Sequence, residues 1–189
     1  EKTPDVLTHL LRGLSEDEKK LLPRSFDVIG DILVLELDDG LHKKEKMIAE
    51  AYLKAYRGVR TVVKKAGAHS GVYRRRLVTV LAGEKRKETI YRESGVQLKV
   101  DIEQVYFSPR LGAERLRIAR QVGKGEDVLV MFSGCAPYCC VIARQSLAHR
   151  IYGVEINPEG HRYGLENIKL NKFDGKVKLF CGDVRKVVP

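Results

Sequence analysis

Long apolar runs are missing from this chain of 189 residues. None approaches the ~20 residues that span a bilayer, so no transmembrane helix is present in the pattern and no membrane partner is expected. The opening stretch, EKTPDVLTHLLRG, lacks the basic-then-apolar layout of a secretory leader. Cysteine is sparse, with four in all. Without an export signal these read as reduced thiols of a cytoplasmic protein rather than as disulfides. No C-x-x-C pair occurs and no second pair lies at zinc-ligand distance, so no metal is expected. The G-x-G-x-x-G fingerprint is absent, which counts against NAD or FAD, and no P-loop lysine is present. Internal repeats and low-complexity tracts are absent as well.

What is present is basic charge, and it is unevenly placed. The net charge is +10. Residues 42 to 92 hold 15 Lys and Arg against 4 Asp and Glu, while the remainder has 20 against 21. The whole surplus therefore lies in one segment, the footprint of a polyanion-binding surface or, more plainly, of a solvated face.

Two textures follow one another along the chain. SFDVIGDILVLEL reads as a strand opening after Gly30-Asp31, and HKKEKMIAEAYLKAY as a helix with Met47, Ile48, Ala51, Tyr52 and Ala55 on one stripe. VRTVVKKA, VYRRRLVTVLAG, ETIYRES and VQLKVDI are short and β-branched, with a hairpin turn at Ser94-Gly95. On strand alternation Arg74 and Arg76 share one face, and Arg75 takes the other. From Tyr106 onward, helical SPRLGAERLRIARQV precedes strands DVLVMF, RIYGVEI and KVKLFCGD, separated by two helical stretches. That alternation predicts βαβαβ and a parallel sheet. We therefore expect a small basic α+β, RNA-facing domain at 1–105. A Rossmann-like α/β domain follows at 106–189, partial at three strands, with the natural protein continuing beyond.

Open α/β sheets bind ligands at the carboxyl ends of their strands. MFSGCAPY occupies that place after the first parallel strand, with Gly134 permitting close backbone approach. Glu155, 21 residues on, ends the second strand, where an acid can accept from both hydroxyls of a ribose. Asp183 ends the third, placed for an adenine amino group. With the nicotinamide and P-loop patterns absent, S-adenosylmethionine is the adenosine-containing cofactor expected. Adjacent Cys139 and Cys140 read as core packing, and Cys135 as part of the ligand loop.

GVYRRR, YFSPRLGAER, MFSGCAPY, VEINP and ENIKLNK, in that order, resemble the archaeal and eukaryotic-type tRNA (guanine-N1)-methyltransferases. These enzymes modify the guanosine 3′ of the anticodon. The resemblance implies a class I S-adenosylmethionine-dependent fold and tRNA as partner, acting as a monomer. It places Glu114 as general base and Arg74 as the arginine assisting at the guanine. Tyr106, Phe132, Gly134, Glu155, Ile156 and Asp183 are placed at the cofactor, and Arg74, Arg76, Arg110 and Arg115 at the RNA. Such chemistry needs a carboxylate with a raised pKa to take the N1 proton, and a fixed guanidinium for charge developing on O6. On spacing alone Glu114 is also a helix-surface ion-pair partner.

Two departures stand out. Val130 sits where the family usually has an acid, and Ala136 where it commonly has a second glycine. The family's later Asn-Pro-Pro motif has no counterpart in this chain. Two rivals share scaffold and tRNA: aminocarboxypropyl transfer to a wybutosine precursor, and a non-catalytic tRNA-binding relative. SPRL and Pro137 favour methyl transfer over the first.

Overall fold

A computed structural model describes residues 5–67 and 71–188, which fold as two compact units. Residues 5–67 with 76–87 make the first, and residues 71–75 with 88–188 the second.

In the first unit, α1 (Asp5–Leu10) and α2 (Glu16–Lys20) precede a four-stranded sheet. Ser15 starts α2 with a capping box: its hydroxyl accepts from the Glu18 amide, and the Glu18 carboxylate accepts from its own. β1 (Asp27–Ile29) and β2 (Ile32–Leu35) form an antiparallel pair across Gly30-Asp31. The sequence suggested a strand only after that turn; three residues before it pair as well. α3 (Glu45–Ala55) crosses over to β3 (Thr61–Lys65), which lies parallel to β2, and β4 (Val78–Gly83) returns antiparallel. Ile48, Ala51 and Tyr52 of the expected helical stripe are buried, with Met47 and Ala55 packed at the margin of the same core.

The basic surplus of this segment is partly neutralised by acids from outside it. Lys44 pairs with Glu18 at 2.7 Å, Lys65 with Glu36 at 3.0 Å and Arg86 with Asp31 at 2.6 Å. Linear charge counting sees none of these pairs.

The second unit opens with the hairpin β5 (Glu88–Glu93) and β6 (Val96–Asp101). Its turn residues Ser94 and Gly95 have φ of 44° and 76°. Positive φ at both central positions marks the turn whose twist suits a two-residue hairpin, as expected. Then follow α4 (Gly112–Ala119), β7 (Asp127–Met131), α5 (Pro137–Gln145), β8 (Arg150–Glu155), α6 (Pro158–Leu170), β9 (Val177–Cys181) and α7 (Val184–Val187). β7, β8 and β9 form a parallel sheet in that order, the expected βαβαβ.

Packing assigns residues 71–75 and 88–105 to the second unit, whereas the boundary expected from sequence lies at 105/106. Alternation along β6 explains the difference. Val96, Leu98 and Val100 all point into the core that holds Cys139, Cys140 and Ile142 of α5. Each fully buried aliphatic of this kind contributes about 1.5–3 kcal/mol, so the hairpin belongs with the parallel sheet.

The arginine run departs from the strand expected of it. Arg74 closes a turn over 71–74, donating its amide to the Gly71 carbonyl at 3.1 Å with φ of 50°, and β4 begins only at Val78. Face alternation therefore does not govern Arg74 to Arg76.

Candidate functional site

Parallel register sets Met131 of β7 beside Val154 of β8, so the segments after both strands leave the sheet at the same end. The first is tightly wound: Phe132, Gly134 and Ala136 have φ of 59°, 55° and 64°. Left-handed backbone costs roughly 1–2 kcal/mol for a residue with a Cβ, so two of the three positions are strained. The wind is held at both ends, by the Ser133 amide on the Val154 carbonyl and the Ala136 amide on the Ser133 carbonyl, each at 2.8 Å.

Glu155 lies across this loop. Its Oε2 accepts from the Gly134 amide at 2.6 Å and its Oε1 from the Asn157 amide at 2.8 Å. Each oxygen retains acceptor capacity for a further donor. The carboxylate thus has a fixed orientation and free lone pairs.

A cavity of about 410 Å³ opens beside it. Glu155, Gly134 and Asn157 supply its polar floor, Ile156 and Val105 an apolar wall, and Tyr106 and Phe132 aromatic faces. Val72, Tyr73 and Arg74 complete the lining, and the Arg74 guanidinium stands over the Tyr106 ring, 5.3 Å from its centroid. Phe132 is 73% exposed, an aromatic presented outward by a strained backbone.

Asn157 was not singled out by the sequence reading. Buried at the start of α6, its Oδ1 accepts from the Glu159 amide at 3.1 Å, capping the helix. Its Nδ2 donates to the Gln104 carbonyl at 2.8 Å, tying the segment that carries Tyr106 to the end of β8. An Asn immediately before Pro158 is a helix-start signal, and the residue could have been found from it.

Arg74, Tyr106, Phe132, Gly134, Glu155 and Ile156 are thus brought to one cavity, and other expected residues lie elsewhere. Asp183 caps α7 and pairs with Arg185, whose guanidinium holds its carboxyl down at about 2. Glu114, in the first turn of α4, accepts two hydrogen bonds at 2.7 Å from Arg117. Those bonds lower its pKa, the reverse of the raised value expected for a base. Arg110 is exposed on the short 3-10 turn Pro109–Leu111, and Arg76 is half-buried in the first unit.

Arg115 is a correction. It is 1% exposed and forms a two-pronged pair with Glu93, at 2.5 and 2.8 Å, with a further bond to the Ser108 carbonyl. A guanidinium so enclosed cannot reach RNA; it fastens α4 to the hairpin. Cys135 belongs to the loop as expected, but its side chain is fully buried and does not line the cavity. Burial pushes the thiols of Cys135 and Cys139 up to about 12. Cys139 and Cys140 pack in the core as expected. Val130 faces that same core, not the cavity, so an apolar residue is at home there.

Comparison with known proteins places this geometry. The chain matches the TRM5/TYW2 methyltransferase domain over residues 89–189 and the TYW2 N-terminal domain over residues 7–86. It is 38% identical over 175 residues to tRNA (guanine(37)-N(1))-methyltransferase Trm5b of Pyrococcus abyssi, covering 93% of this chain and 52% of that protein. Among solved structures it resembles aTrm5 in complex with tRNALeu (TM-score 0.88, 35% identity, 99% of this chain, 56% of the other). It also resembles Methanocaldococcus jannaschii Trm5 in complex with adenosine (TM-score 0.80, 37% identity, 93% of this chain, 53% of the other). The chain spans about half the length of the relatives it matches. With both units accounted for by one family's domains, and with that likeness extending through nearly every residue, this chain belongs to the TRM5/TYW2 methyltransferase family.

Proposed function

We propose that the protein is an S-adenosylmethionine-dependent tRNA (guanine-N1)-methyltransferase acting on the guanosine 3′ of the anticodon. The observation that carries this reading is the convergence of Glu155, Tyr106, Phe132 and Arg74 on one cavity at the ends of β7 and β8. A volume of about 410 Å³ with apolar walls and one oriented carboxylate fits an adenosine-bearing group. Glu155 would hold the ribose hydroxyls with the acceptor capacity its two amide contacts leave free. Ile156 and Val105 would flank the base, while Tyr106 and Phe132 offer aromatic faces. When bound, the sulfonium supplies an electrophilic methyl group and needs no metal to activate it.

The remaining tasks belong to the chain. Guanine N1 carries a proton, and Glu114 is the carboxylate assigned to remove it. Arg117 must then exchange its grip on Glu114 for another partner when RNA arrives. Arg74 would stabilise charge gathering on O6 through the planar fork of its guanidinium. Arg76 and Arg110 are assigned to RNA phosphates, with the basic first unit as the RNA-facing domain. Asp183 retains its family assignment beside the adenine, provided Arg185 gives way. We assign a cytoplasmic monomer.

The N-terminal match, named for TYW2, favours a second reading: transfer of the aminocarboxypropyl arm to a wybutosine precursor. Both are decided by incubating the protein with cofactor and, in parallel, unmodified tRNA and tRNA that carries the tricyclic precursor, and weighing the modified nucleoside. A one-carbon gain on guanosine supports methyl transfer, a gain of the four-carbon arm on a tricyclic base supports the second, and no gain contradicts both.

A further inference from the structure

The stretch ENIKLNK carried part of the family resemblance, yet nothing in the cavity uses it. Its two asparagines, Asn167 within α6 and Asn171 at the C-terminal cap of α6, are one helical turn apart and both are buried. Asn171 Oδ1 accepts from the Gln97 amide at 2.9 Å, and its Nδ2 donates to the Gln97 carbonyl at 2.6 Å. Asn167 treats Lys99 the same way, at 2.6 and 3.0 Å. Two side-chain amides therefore stand in for a neighbouring strand along the free edge of β6. The spacing permits it: four helical residues advance about 6 Å, and two strand residues about 6.8 Å.

The two asparagines differ in what their remaining N–H reaches. Asn171 donates it to the Asn167 carbonyl within α6, at 2.8 Å. Asn167 donates it to the Cys135 carbonyl at 2.9 Å, inside the loop whose Gly134 amide holds Glu155. α6 lies close there, since a Cβ on Gly164 would stand 3.6 Å from the Gly134 carbonyl oxygen and 3.5 Å from the Ala136 Cβ.

From this asymmetry we infer that Asn167 is a positioning residue for the loop, coupling the hairpin to the orientation of Glu155, whereas Asn171 only docks the hairpin. The functional half of this statement rests on the cofactor reading above; the structural half does not. An amide with both N–H groups and its oxygen engaged in a fully buried place has one orientation, so it transmits the position of Lys99 to Cys135.

Amide hydrogen exchange of residues 133–136, without ligand, compares wild type, Asn167→Ala and Asn171→Ala, each normalised to β8. Exchange should quicken about tenfold or more in Asn167→Ala and change less than about twofold in Asn171→Ala. Affinity for S-adenosylhomocysteine, measured by calorimetry, should fall about tenfold or more in the first variant and stay within about twofold in the second. Equal responses from the two variants, in either measurement, overturn the proposal. Should Asn167→Ala fail to fold, wild type still decides: the ligand should slow exchange of the Lys99 amide, and an unchanged rate contradicts the coupling. If wild type binds no S-adenosylhomocysteine, the cofactor reading falls, and the ligand-free comparison still judges the coupling.

Discussion

The most instructive residue is Arg115, because its sequence neighbourhood and its environment give opposite answers. Between Glu114 and Arg117 it looks like surface charge, but it pairs with Glu93 in the interior. Removing one partner of a buried pair leaves the other charge unpaired, at about 3–5 kcal/mol. Arg115→Ala should lower stability by that amount in urea unfolding, while Arg110→Ala, on an exposed turn, should change it by less than about 0.5 kcal/mol. Ala136 is the opposite case, where competing terms nearly cancel. Glycine there would relieve about 1–2 kcal/mol of left-handed strain. It would lose a buried methyl, about 0.8 kcal/mol, and add about 0.5–1 kcal/mol of unfolded-chain entropy. Ala136→Gly should therefore move stability by less than about 1 kcal/mol, and a larger loss would mean the methyl packs more tightly than its contacts indicate. Glu114 can be tested by pH. Arg117 lowers its pKa, so a base at that position stays ionised to lower pH than an unpaired carboxylate would. Its activity is lost only as pH falls through the lowered value. Arg117→Gln should shift the acid limb of the kcat/KM profile, which reports the free enzyme, to higher pH; an unmoved limb would take Glu114 out of the base role.

At the scale of elements, the parallel sheet is built around a point that admits no side chain. A Cβ on Gly153 of β8 would lie 2.5 Å from Leu179 Cδ2, 3.0 Å from Cys139 Sγ and 3.1 Å from Ser133 Cβ. Overpacking of this kind costs about 1–3 kcal/mol. Gly153→Ala should show that loss in thermal or urea unfolding and, through Ser133, should also disturb the loop after β7. The sequence made these elements readable where their signal is periodic. β7 to β9, α5, α6 and the Ser94-Gly95 turn all follow from alternation, length and punctuation. It misread elements whose placement is set by distant partners. The hairpin 88–101 was grouped by its basic neighbours, but its side chains and edge are claimed by α5 and α6. Arg74 was read as strand because its neighbours are β-branched, while the turn from Gly71 decides its backbone.

For the whole molecule, the site divides along the same line. Strand-end position identified Gly134 and Glu155, because a parallel sheet delivers its carboxyl ends to one place. Tyr106, Phe132, Ile156 and Arg74 came from family resemblance, and the structure gathers them without any spacing rule that would have done so. Asn157 went unnoticed because its role lies in a hydrogen bond to Gln104, 53 residues away. Charge followed neither rule, since the basic segment is paired in part with Glu18, Asp31 and Glu36. The RNA contacts proposed for this segment should accordingly be few. Binding of tRNA should weaken with salt at a slope of about −3 to −5 in log–log terms, as for some four to six phosphates. A slope near zero would remove the first unit as an RNA-facing surface.

The proposed reaction is methyl transfer to guanine N1 beside the anticodon. Its most direct test supplies the protein with methyl-labelled S-adenosylmethionine and two tRNA transcripts that differ only in guanosine or adenosine at that position. Methyl transfer to guanine N1 requires label on the guanosine transcript alone, recovered as N1-methylguanosine from that site. Label on both transcripts, on another nucleotide, or on neither would contradict it.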